Sequence, residues 1–111
     1  MSNRIRPPLR LIVNRMLPRS ISGILFNEKE NRIVASFRLQ AKENSLILKI
    51  VYINAGKIIL AVFDEILSEH GLKEFEFEDT PGHIVSIWKI NYDLNTIFDR
   101  IQDLAKHVNS R

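Results

Sequence analysis

The sequence predicts an α+β domain, a small antiparallel sheet with helices packed on it in the order α-β-β-β-α-β-β-α. Three observations carry that reading. Ile33, Ala35, Phe37 and Leu39 alternate with Val34, Ser36 and Arg38, the period-two pattern of a half-buried strand. Asp79-Thr80-Pro81-Gly82 is a strong turn signal between two strand-like segments. Behind Asp93, the residues Leu94, Ile97, Phe98, Ile101, Leu104, Ala105 and Val108 recur at the helical period.

The elements follow in chain order. Leu9, Ile12, Val13 and Met16 stand at one-turn spacing behind Pro7-Pro8, which predicts a short helix over 9–17 ended by Pro18. Residues 21–26 and 33–39 form a hairpin joined by Asn27-Glu28-Lys29-Glu30-Asn31. Residues 46–53 are rich in β-branched side chains and precede Asn54-Ala55-Gly56. One helix running from 46 to 70 would bury nearly its whole circumference and place Gly56 in its interior, at a cost of about 1 kcal/mol. A strand, a turn and a helix over 57–70 need no such exception, and that reading is preferred. Ile59, Val62, Phe63 and Ile66 form the core stripe of this helix, and Gly71 ends it. Phe75 and Phe77 alternate with Glu74, Glu76 and Glu78, a strand with one acidic face. Residues 84–90 return as its partner, apolar on both sides as a doubly covered strand would be. Asp93 is placed to cap the last helix.

Charge divides the chain in two. Residues 1–19 hold Arg4, Arg6, Arg10, Arg15 and Arg19 and no carboxylate, whereas from residue 20 onward 11 Lys or Arg face 13 Asp or Glu. The expected organisation is a basic N-terminal arm with a short helix over 1–19 and a single α+β domain over 20–111. The five arginines are the candidate nucleic-acid contacts. With no aromatic residue among them, any contact would be to backbone phosphate.

The chain has no cysteine, which excludes disulfides, zinc-thiolate sites and thiol nucleophiles. Its apolar stretches are too short to span a bilayer, and the interrupted segment 9–17 does not suit a signal peptide. These features lead to the expectation of a cytoplasmic protein. His70, His83 and His107 form no metal-ligand spacing, with His70 placed for a helix C-terminus. Glu74, Glu76 and Glu78 read as a solvated face, and Asn54-Ala55-Gly56-Lys57 as a turn that lacks the glycine spacing of a nucleotide loop. No catalytic residue, metal or cofactor is expected. Ile58, Leu60 and Leu67 fall off the core stripe of their helix, and such surplus apolar surface predicts a protein partner or a dimer.

From residue 46 the order of strand (46–53), helix (57–70), hairpin (74–79 with 84–90) and helix (94–108) resembles the small dimerising subunit of the KEOPS complex, which helps make threonylcarbamoyladenosine on tRNA. The closest stretch is Ile84 to Leu104, where an apolar strand runs into Asp93-Leu94 and then Ile97, Ile101 and Leu104. The family often has Arg where this chain has Phe98 and Asn where it has Gln102, and these two positions join the partner-binding candidates. The arm and the hairpin 20–40 are extra to the family pattern, as in a divergent paralogue. The resemblance implies a non-catalytic dimerisation and assembly subunit that offers its helices to the threonylcarbamoyl-transferring subunit, with the arm assisting tRNA. Alternatives are a Roadblock-type dimeric scaffold regulating a small GTPase, which requires 46–70 to be one helix, and a basic RNA-binding protein. A type III secretion chaperone has a similar element order.

Overall fold

The computed structural model describes residues 8–90 and 93–109. Among these residues, six strands form one antiparallel sheet: β1 (Leu9–Leu17), β2 (Ser20–Asn27), β3 (Arg32–Lys42), β4 (Ser45–Tyr52), β5 (Lys73–Thr80) and β6 (His83–Lys89). Helix α1 (Gly56–Glu69) follows β4 and α2 (Leu94–Asn109) follows β6. The strand order is β1-β2-β3-β4-β6-β5, so the chain runs as a meander through four strands, crosses by α1 to the far edge, and returns inward with β6.

Both helices lie on one face. α1 packs over β3, β4, β6 and β5, and α2 over β1, β2 and β3. Strand alternation supplies the core beneath them: Ile21 and Leu25 from β2, Phe37 and Leu39 from β3, Leu46, Leu48 and Ile50 from β4, and Ile84 and Trp88 from β6 are all buried. The rings of Phe37 and Phe63 meet at 5.2 Å between centroids and 55° between planes, joining sheet to helix in the tilted geometry that aromatic pairs favour.

The hairpin 20–40, the strand before α1, the acidic strand and both helices 56–69 and 94–109 stand where the sequence places them. The single-helix alternative over 46–70 does not occur, and the Roadblock reading loses the helix it required. The first element is the main correction. Residues 9–17 are a strand, not a helix, so the order begins with four strands. Leu9, Leu11 and Val13 offer a period-two stripe as good as the helical one, and it packs against the core. Gly23 makes the pairing possible, because a Cβ there would lie 2.1 Å from the Ile12 carbonyl oxygen and 2.8 Å from the Phe37 ring. Leu17 and Ser20 face each other across Pro18-Arg19, so the proline turns a hairpin where it was expected to stop a helix. A boundary after residue 19 would cut this hairpin. The basic segment is therefore largely an edge strand, and Arg4 and Arg6 lie outside the described residues.

Local chemistry closes the element ends. Asp93 accepts hydrogen bonds at Oδ1 from the Thr96 amide (2.9 Å) and hydroxyl (3.0 Å), which holds its carboxyl below the usual range. At the C-terminal end of α1, Gly71 takes a left-handed φ of 79° and the Arg100 guanidinium donates to the His70 carbonyl at 2.7 Å. The His70 ring spans Ile66 O (2.8 Å) and Asp103 Oδ2 (2.5 Å), tying α1 to α2 as a capping residue.

Candidate nucleic-acid interface

Neither of the described helices lies on the second face of the sheet. In an antiparallel sheet, directly paired residues share a face, so the register shows which side chains this surface displays. One row across the sheet reads Arg15, Ser22, Arg38, Lys49, Val85, Glu78. The next reads Leu17, Ser20, Gln40, Ile47, Ile87, Glu76, and the one beyond it Lys42, Ser45, Lys89, Lys73. Two rows rich in cations thus flank one whose single charge is Glu76 at its β5 end. They lie four residues apart along the strands, about 13 Å at the usual strand rise. Arg10, paired with Phe26, adds a further cation at the opposite end of β1.

Arg15, Arg38, Lys42, Lys49, Lys73 and Lys89 are all exposed. Ion pairs between described residues engage Arg32, Lys57 and His70 and none of these six. Arg38 is directly opposite Lys49, and Lys89 directly opposite Lys73. Like charges in that position, with Cβ atoms about 5 Å apart, destabilise a sheet. The fold carries two such pairs on one surface, and an anion laid across them would relieve both. Between the rows stand Leu17, Ser20, Gln40, Ile47 and Ile87, with Glu76 at the β5 edge. A shallow trough of about 400 Å³ opens on the other side of the first row, between it and Ser36 and Val51, lined in part by Asn14, Ser22, Arg38 and Lys49.

Apart from Glu76 and Glu78, which end two of these rows, the carboxylates of the two helices lie on the other side. Asp64 and Glu69 are exposed on α1, and Asp99 and Asp103 on α2. Glu74, Glu76 and Glu78 do not share one face as expected, because a bulge at Phe75 shifts the register. Glu76 and Glu78 border the open face at its β5 edge. Glu74 pairs with Trp88 on the helix side, where its carboxylate accepts the hydroxyl proton of buried Ser86.

The candidate residues separate in the same way. Arg10 and Arg15 join the open face, while Arg19 lies in the β1–β2 turn. Leu67 is fully buried in the chain's own core and offers nothing to a partner, so the surplus inferred from it was core. Ile58 and Leu60 are half-buried against that core, and Phe98 and Gln102 are half-buried on α2. The segment 54–57 cradles no anion by a glycine loop. Ala55 takes a left-handed φ of 61° at the helix start, Gly56 abuts the Tyr52 ring, and Lys57 pairs with Asp79 at 3.6 Å. No group of three metal-ligating side chains occurs among the described residues. No helix among them is long and apolar enough to cross a membrane.

Sequence reasoning missed Arg38, Lys42, Lys49, Lys73 and Lys89. Each reads singly as a solvated strand residue, and only the cross-strand register gathers them. No protein-family model, curated protein or solved structure matches the chain.

Proposed function

We propose that this domain binds a nucleic-acid strand, RNA foremost, through the sugar–phosphate backbone on its open sheet face. The observation that carries the reading is the pair of cationic rows with their directly opposed Arg38/Lys49 and Lys89/Lys73. Phosphates would lie along these rows, and riboses and bases over Ser20, Gln40, Ile47 and Ile87 between them. The residues between the rows include no aromatic platform, so recognition is by charge and shape and is tolerant of sequence. Binding measured by fluorescence anisotropy with a labelled 15-nucleotide RNA tests this. With the six row cations each meeting one phosphate, log K falls with log salt at a slope of about −4, or about 300-fold between 50 and 200 mM. Arg38→Ala with Lys49→Ala reduces both the affinity and that slope. A wild-type protein that does not bind, or binds without salt dependence, refutes the proposal.

A second reading, an assembly subunit like that of KEOPS, is favoured by one observation: from Ser45 the order β4-α1-β5-β6-α2 is the one that resemblance implied. Affinity purification from the native cell with nuclease treatment tests it. Recovery of the threonylcarbamoyl-transferring subunit supports it, and its absence dismisses it.

A further inference from the structure

Among the described residues the sheet has two open edges, β1 and β5, each with a neighbour on one side only. Every residue of β5 is exposed, as are the last four of β1. Such edges are templates for pairing with another chain unless something blocks it. Charged side chains usually provide the block, and here β5 has Glu76 and Glu78 against the single cation Lys73 on the open face, while β1 has Arg10 and Arg15. The two edges therefore carry opposite charge. β1 against a second β1 would set arginine near arginine, and β5 against a second β5 would set glutamate near glutamate. β1 against β5 meets no such barrier.

Topology favours the same pairing. Each neighbouring pair in the order β1-β2-β3-β4-β6-β5 is antiparallel, so with six strands β5 runs opposite to β1. A second copy moved across the sheet, without being turned over, brings its β1 alongside β5 as the next antiparallel strand. Its helices stay on the helix side.

Register then names the contacts. The row that begins at Arg15 ends at Glu78. The adjacent row, on the helix face, begins at Met16, passes through Ile21, Leu39, Leu48 and Ser86, and ends at Phe77. Its interior side chains are buried, yet its two ends are exposed, Met16 at 50% and Phe77 at 47%. Continuing both rows into a second copy places Arg15 beside Glu78 and Met16 beside Phe77 together, since antiparallel neighbours step in opposite directions. A salt bridge forms on one face and a thioether–aromatic contact on the other.

We propose that this protein self-associates head to tail, β1 of one copy adding to β5 of the next, with Arg15 against Glu78 and Met16 against Phe77. The interface is heterologous, so it propagates into a chain or closes into a ring. This inference is independent of nucleic-acid binding and is tested on nuclease-treated protein.

Sedimentation velocity at low salt and rising protein concentration should show species larger than the monomer. Arg15→Glu alone and Glu78→Arg alone should each weaken association on the order of tenfold. The double reversal should restore it, with circular dichroism confirming that each variant is folded. Because the chain has no cysteine, a second measurement does not depend on charge. Arg15→Cys protein mixed with Glu78→Cys protein under mild oxidation should give a disulfide-linked heterodimer, which neither gives alone. A monomeric wild type across the concentration range overturns the proposal. So does a reversal pair that fails to rescue, or a cysteine variant that links mainly to itself.

Discussion

Replacing Lys49 by Glu sets stability against function. In the folded chain Lys49 stands directly opposite Arg38, both exposed and without an ion-pair partner among the described residues. A like-charged cross-strand pair costs a few tenths of a kcal/mol, and an opposite pair contributes about as much in the other direction. The substitution converts one into the other. It should stabilise the free protein by up to about 1 kcal/mol at low salt, or roughly 4 °C in a domain of this size. The same change removes one phosphate contact and adds a repulsive carboxylate at the centre of a cationic row. RNA affinity at 0.1 M salt should fall by about tenfold, and the salt slope should flatten by about one. Thermal unfolding by circular dichroism and anisotropy titrations at three salt concentrations read the two effects on the same preparation. A variant that is less stable and binds as tightly as the parent would refute the reasoning. It would mean that Lys49 is held by packing and not spent on an anion.

The remaining predictions concern the fold. Leu67→Ala should lower stability by about 2–5 kcal/mol in urea titration, because the side chain is fully buried, and Leu67→Asp should leave the chain unfolded. Gly23→Ala should cost at least about 3 kcal/mol and detach β1, since its methyl group would overlap the Ile12 carbonyl; amide exchange along residues 9–17 should quicken. Asp93→Ala should lower the melting temperature at pH 7. The carboxyl has its pKa depressed in the folded state by the Thr96 amide, so its contribution is complete above the unfolded value and disappears as pH falls through the folded one. Wild-type and variant melting curves should therefore converge below about pH 4.

How much of this was readable from the chain depends on the range of the determining interaction. The β3 alternation, the α2 period and the Pro81-Gly82 turn are local patterns, and each became the element it announced. Gly82 adopts a φ of 79°, the conformation the turn requires. Residues 9–17 satisfy two local patterns at once, the helical 9/12/13/16 and the alternating 9/11/13. The choice between them rests on partners 10 to 18 residues away, among which Gly23 lets the backbones approach. The acidic strand failed differently: alternation assumed a regular pleat, and the bulge at Phe75 sent Glu74 to the other side. Leu67 read as surplus because the stripe of α1 was drawn too narrow for a helix laid across four strands. The cationic surface was the least readable part, since it assembles from five strands whose pairing no single segment records.

The division of labour between the two helices bears on how the molecule is made. α2, at 94–109, covers β1, β2 and β3, which are complete by residue 42. The meander can therefore pair early, hairpin by hairpin, at little cost in loop entropy. Yet it waits for more than fifty further residues before its apolar side is roofed. During synthesis, at about 5–20 residues per second, Leu11, Val13, Ile21 and Leu25 stand uncovered for several seconds. Folding of this half is thus sealed by α2, and a chain that stops short of it has α1 over β3 to β6 but leaves the helix side of β1 and β2 bare.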